Sequence, residues 1–112
     1  MIGWAPKATA SPVARPGQPR ELRSIKEDAD KLTLQWKSPA RTDGGRVRTY
    51  LVERREQAAE GAAFDDWRQV GVALETNITL EAQPRHRDLE YRVTAMNHAG
   101  QGLPSNALPV VL

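Results

Sequence analysis

A chain of 112 residues is long enough for one hydrophobic core and short for two. Hydrophobic residues make up 39% and charged residues 27%, a globular balance, and no stretch approaches the roughly 18 apolar residues of a membrane span. The absence of cysteine excludes disulfides, thiolate metal sites and thiol nucleophiles, and a net charge of +2 with mixed signs offers little attraction to nucleic-acid phosphates.

Residues 1–18 hold Pro6, Pro12 and Pro16 among alanines and serines with no apolar period, which predicts an extended linker. Its opening, Met1 to Lys7, lacks a charged start followed by an apolar run and does not read as a signal peptide. Trp4 reads as an anchor on a neighbouring domain or a boundary residue. From Pro19 onward the period becomes two. Leu32, Leu34 and Trp36 alternate with Thr33, Gln35 and Lys37, giving an apolar inner face and a polar outer one. Tyr50 and Val52 repeat the pattern against Leu51 and Glu53.

Glu53 to Ala63 contains good helix formers, but it has no apolar stripe and carries Gly61, so the segment predicts a long loop. Ile78 and Leu80 form the next inward pair. Leu89, Tyr91, Val93 and Ala95 then make a four-step inward row, with Glu90, Arg92, Thr94 and Met96 outward. Leu108, Val110 and Leu112 close the chain. Turn signals punctuate these runs: Ser38-Pro39, Asp43-Gly44-Gly45, Gln83-Pro84, Gly100-Gln-Gly102 and Pro104-Ser-Asn106. Short, repeatedly interrupted strands of this kind predict an antiparallel sandwich.

Five blocks in order carry a family resemblance. They are Leu32-Thr-Leu-Gln-Trp36 with Pro39, Asp43-Gly44-Gly45 leading to Tyr50–Arg55, Trp67 before Val70, Tyr91-Arg-Val-Thr-Ala-Met-Asn97, and Gly100-Gln-Gly-Leu-Pro-Ser105. From Pro19 to Leu112 the chain resembles a fibronectin type III domain. The resemblance implies an all-β, immunoglobulin-like sandwich of seven antiparallel strands in two sheets, with Trp36 and Trp67 both assigned to the sandwich. Aligned on Asn97, Leu89 falls where the family usually has the tyrosine of its tyrosine corner, and Gln83 falls where a leucine usually packs beneath that tyrosine. Leu89 is therefore expected to be inward, and Gln83 exposed and insensitive to substitution.

No catalytic constellation is visible. His86 and His98 lie in turns, Asp65-Asp66 and Asp28/Asp30 are acids in polar turns, and none faces a partner in a patterned site. The paired glycines precede no Lys-Ser/Thr, and Asn77-Ile-Thr79 matches a glycosylation acceptor around a residue expected to be core. The chain is expected to be non-catalytic, without cofactor or metal: a monomeric spacer or protein-docking module of a larger multidomain protein. Its partners are expected to be neighbouring domains of the same chain or another protein, with no nucleic acid and no membrane. Family usage points to an extracellular or cell-surface setting and is compatible with an intracellular one. An alternative is an accessory domain of a secreted carbohydrate-active enzyme. The candidate contact residues are Leu51, Glu53, Arg55, Arg92 and Met96 on the outer face of the third and sixth strands, and Arg85 and Arg87 in the loop at 83–88.

Overall fold

Leu32, Leu34 and Trp36 leave one side of a strand together, and removing them from water requires a second apolar layer opposite. The computed structural model describes residues 14–112 and supplies that layer; residues 1–13 of the linker expected over 1–18, Trp4 among them, lie outside the described residues. Eight strands form: β1 (Arg20–Glu27), β2 (Lys31–Lys37), β3 (Thr49–Gln57), β4 (Arg68–Ala73), β5 (Asn77–Glu81), β6 (Asp88–Asn97), β7 (Gly100–Gln101) and β8 (Leu108–Val110). One sheet has the order β1-β2-β5, and the other runs β4-β3-β6 with β7 and β8 on the far side of β6. Every strand pairing is antiparallel. The two sheets face each other as an immunoglobulin-like sandwich.

The predicted inward rows are the core. Leu22, Leu32, Leu34, Trp36 and Leu80 from one sheet meet Tyr50, Val52, Leu89, Tyr91, Val93, Ala95 and Val110 from the other, all buried. Trp36 meets Tyr50 edge-on, with ring centroids 5.4 Å apart. Each large side chain buried here contributes about 1.5–3 kcal/mol from removal of apolar surface. Register follows from that burial: Tyr50 faces Ala95 and Val52 faces Val93 across β3 and β6. A slip of one residue would turn both rows to water.

Two elements differ from the expectation. Strand β3 includes Glu53 and Arg55, as the candidate contact face expects, and continues to Gln57, so the loop read over residues 53–63 starts only beyond it; its pairing with β6 reaches Asp88. No helix forms, because residues 53–57 gain cross-strand partners that outweigh their helical propensity. The second difference is β7, a two-residue pairing inside residues 100–102, expected as a turn; a gap separates it from the expected last strand, β8. Pro104 stands in the gap and Pro109 within β8, and neither can donate to a ladder. β8 pairs with β6 alone, so its other edge is free to hold a proline.

Side chains complete what the broken strand cannot. Between β7 and β8 the register shifts, and the Val93 amide donates to Ser105 Oγ at 2.9 Å while Ser105 N donates to Val93 O at 2.8 Å. Asn106 then bridges the sheets: Leu22 N donates to its Oδ1 at 2.9 Å, and its Nδ2 donates to Leu22 O at 3.1 Å. The first strand and the last are thereby joined by one amide.

Residues 14–18 lie in a channel between the β2–β3 loop and the β6–β7 turn. Gly45 N donates to Arg15 O, Asn97 Nδ2 donates to both Ala14 O and Arg46 O, and Gln18 N donates to Asp43 Oδ2. Two glycines make room. Gly44 takes φ of +78°, and a Cβ on Gly102 would collide with Pro16 O.

Replacing Ser105 by alanine strands the buried Val93 amide. Urea denaturation should show a loss of about 1–3 kcal/mol, the cost of an unsatisfied buried donor. A loss within the scatter of ordinary surface changes, about 0.5 kcal/mol, would mean that the amide finds another acceptor.

Candidate interaction surfaces

The side chains opposite the core on β3 and β6 form the first candidate surface. Register sets Leu51 beside Thr94, Glu53 beside Arg92, Arg55 beside Glu90, and Thr49 beside Met96. The charges pair laterally: Arg92 Nε lies 2.8 Å from Glu53 Oε1, and Arg55 Nη2 lies 2.6 Å from Glu90 Oε1. Leu51 and Met96 are half-buried, and Thr94 is buried.

Trp67, assigned to the sandwich by the resemblance, packs on its outer side and covers this face. The guanidinium carbons of Arg55 and Arg92 lie 4.7 and 4.4 Å from its ring centroid, and Arg55 also lies 5.0 Å from the Phe64 ring. Each such contact contributes about 0.5–1 kcal/mol. The guanidiniums draw the indole outward, and the inner face opposite is already filled by Val52, Tyr91 and Val93. The resemblance leaves open which side of the sandwich Trp67 covers; the signal for the outer side is two outward arginines on neighbouring strands, two rungs apart. With every charge on these rungs paired and two cations over the indole, the surface is closed upon itself.

The second candidate surface is the turn between β5 and β6. Arg87 Nη1 contacts Glu56 Oε1 at 2.8 Å, whereas Arg85 is exposed. His86 adopts φ of +61° and donates its backbone N–H to Leu112 O at 2.8 Å, fastening the chain end there. The seven candidate contact residues thus fall on two separate surfaces.

Between those surfaces lies a polar network that overturns the expectation for Gln83. Leu89 is inward, with 1% exposure. Tyr91, two residues on and on the same face, supplies the hydroxyl, donating to Gln83 Oε1 at 2.6 Å. Arg54 Nη1 donates to the same oxygen at 2.9 Å, and Gln83 Nε2 donates to Glu81 O at 3.0 Å. Gln83 is half-buried and is the hub of the turn rather than a free surface residue. The corner's hydrogen bond survives, moved by one inward step along β6.

Burial pushes the Tyr91 phenol up to about 12, with Arg54 acting in the opposite direction. The Asp65 carboxyl is held below its ordinary value, chiefly by the Glu56 backbone amide and further by Arg68, 2.6 Å away. His98 touches the Arg48 guanidinium at the opposite end of the sandwich. Among the described residues no group of three or more His, Cys, Asp or Glu side chains could hold a metal ion.

Gln83→Ala should cost about 1–3 kcal/mol, since it removes the acceptor shared by Tyr91 and Arg54; denaturation with no measurable change would remove Gln83 from the network. A phenol whose pKa is raised on folding stabilises fully below the ordinary value of 10, and that stability is lost as pH climbs through about 12. Thermal melts should therefore fall steeply across pH 10 to 12 in the natural protein, and less steeply in Tyr91→Phe. Equal slopes would show that another group governs the alkaline limit.

The sequence matches the family described as Fibronectin type III domain over residues 17–111. The titin homolog of Caenorhabditis elegans is 28% identical over 91 residues, 81% of this chain and, to the nearest per cent, 0% of that protein. The striated-muscle M-protein of Gallus gallus is 28% identical over 93 residues, again 81% of this chain and 6% of that protein. A crystal structure of domains from titin superposes with a TM-score of 0.74 at 31% identity, covering 88% of this chain and 33% of that one. The chain thus spans a small fraction of the curated relatives it matches. The two facing sheets, the motif order and a match across almost the whole chain make this protein a member of the fibronectin type III family.

Proposed function

We propose that this domain is a non-catalytic structural module of a larger protein, a longitudinal spacer whose partners are the domains before and after it. One observation carries the reading: the chain comes in at one pole and leaves at the other, and both ends are fastened. Residues 14–18 are bonded to the β2–β3 loop and the β6–β7 turn, whereas Leu112 is bonded to the β5–β6 turn at the far end. On this reading the module begins at Ala14, whose carbonyl accepts from Asn97 Nδ2. The paired outer face suits a rigid wall, with Glu53, Arg55 and Arg92 serving one another. Relatives in which such a sequence is a small share of the whole support a place within a longer chain.

A carbohydrate-enzyme accessory role is disfavoured by the aromatics. Trp36 is buried and Trp67 carries two guanidiniums over its ring, so neither offers a free platform for a sugar.

Arrays of one, two and three copies of the 112-residue chain test the spacer reading by small-angle scattering. The longest dimension should grow by a constant step of at least about 30 Å per copy, the length of a ten-residue strand at about 3.3 Å per residue. Arrays that fold side by side, with no constant step, would overturn it.

A further inference from the structure

The two poles of the sandwich differ in charge and in apolar exposure. At the receiving pole lie residues 14–19, the β2–β3 loop 38–48, the β4–β5 turn 74–76 and the connection 98–107. These segments carry Arg15, Arg41, Arg46 and Arg48 against only Asp43 and Glu75. Asp43 is already engaged by the Gln18 amide at 3.0 Å. At the departing pole the segments 28–30, 58–67 and 82–87 carry Asp28, Asp30, Glu60, Asp65 and Asp66 against Arg85 and Arg87. Asp65 is paired with Arg68, Asp28 with Lys26 and Arg87 with Glu56, which leaves Asp30, Glu60 and Asp66 against Arg85. The module therefore has a basic head and an acidic tail.

The head also exposes apolar surface. Leu74 is 77% exposed and Leu103 70%, the two largest values among the exposed hydrophobic residues described. They stand on either side of the incoming strap, each at the rim of a concavity. One, of about 420 Å³, is lined by Pro39, Val47 and Leu74 with Arg41 and Arg46. The other, of about 490 Å³, is lined by Pro16, Gly102 and Leu103 with Arg15. Asp43 lines both. An exposed leucine beside arginines that make no ion pair with a described residue, twice over, is the composition of an interface with an apolar centre and a charged rim; Arg15 Nε donates only to Ala99 O, at 3.4 Å. The strap held between the concavities fixes where the preceding part of the chain arrives.

We infer that this basic, leucine-bearing head is the seat of the preceding domain, and that it takes a sandwich pole of the chemistry this chain carries at its own tail: acidic loops beside an apolar residue. Val111, 58% exposed, stands there among Glu60, Arg87 and Asp88 as the apolar counterpart. The inference rests on the spacer reading, which makes the neighbour at this pole another domain of the same chain. A short connection holds such a neighbour at an effective concentration in the millimolar range, so a weak contact suffices to fix the angle between domains. Charge complementarity sets its orientation and rejects a neighbour with a basic pole.

The natural 112-residue chain serves as its own probe, because its tail can dock on the head of another copy. That contact is heterologous and does not close, so sedimentation should show an open series of species growing with concentration. Amide shifts should move at 40–48, 74–76 and 99–104 together with 28–30 and 58–66, and the series should vanish near 1 M salt, where the screening length is about 3 Å. Arg41→Glu with Arg46→Glu should weaken association roughly tenfold or more. Mixing that variant with one carrying Asp28→Lys, Asp30→Lys and Glu60→Lys should restore a contact between reversed head and reversed tail. All five sites are exposed, so folding is not at issue, and Leu74→Ser tests the apolar part separately. A chain that stays monomeric at millimolar concentration and low salt, a closed dimer, or shifts confined to the outer face of β3 and β6 would each overturn the inference. None of these touches the spacer reading, which stands or falls on the additive length of the arrays.

Discussion

Strand β6 needs hydrogen-bond partners on both edges, and the segment that must serve one of them carries Pro104 and Pro109. A continuous ladder is impossible there. The chain answers with side chains: Ser105 Oγ accepts from the Val93 amide, and Asn106 turns away to bond both backbone groups of Leu22 on the opposite sheet. The same interruption leaves space for Pro16 against Gly102, with Gln18 Nε2 donating to Pro104 O at 2.7 Å. The docking of the incoming chain and the joining of first and last strands thus both follow from a last strand that cannot run straight.

The core was legible because its information is local. Each inward row is a period-two run, and Leu32, Trp36, Val52 and Tyr91 could be assigned from their own neighbours. What escaped depends on pairings distant in sequence. The resemblance places Glu53 and Arg55 on the third strand, but nothing near Glu56 and Gln57 says strand; they become strand residues because Leu89 and Asp88 stand opposite. Which side of the sandwich Trp67 covers is settled only once two outward arginines are known to lie beneath one ring. Gln83 looks expendable in a turn, and its value lies in a hydroxyl eight positions away that the alignment had assigned to packing. Of the seven candidate contact residues, Glu53, Arg55, Arg92 and Arg87 proved to be joined in ion pairs within the domain. The poles carried the less conspicuous signal, since their charges are spread over several loops.

The proposed spacer role draws its support from where the bonds sit. The broad outer face of β3 and β6 is internally satisfied, and a surface whose charges are already paired has little to offer a partner. The fastened ends are different: the head is locked by main-chain and amide bonds, and the tail by the His86–Leu112 bond. The two ends of the described structure, residues 14–18 and Leu112, are thus held by ordered hydrogen bonds rather than left loose.

The central claim is that both ends belong to one cooperative unit, joined through Asn106. Pulling the 112-residue chain by its termini in a single-molecule instrument tests this most directly, because it loads β1 and β8 at opposite poles. The account predicts one cooperative rupture, at a force that drops in Asn106→Ala when the bridge to Leu22 is removed. Stepwise peeling of β8 or β1 ahead of the core, with the natural chain and Asn106→Ala behaving alike, would contradict it.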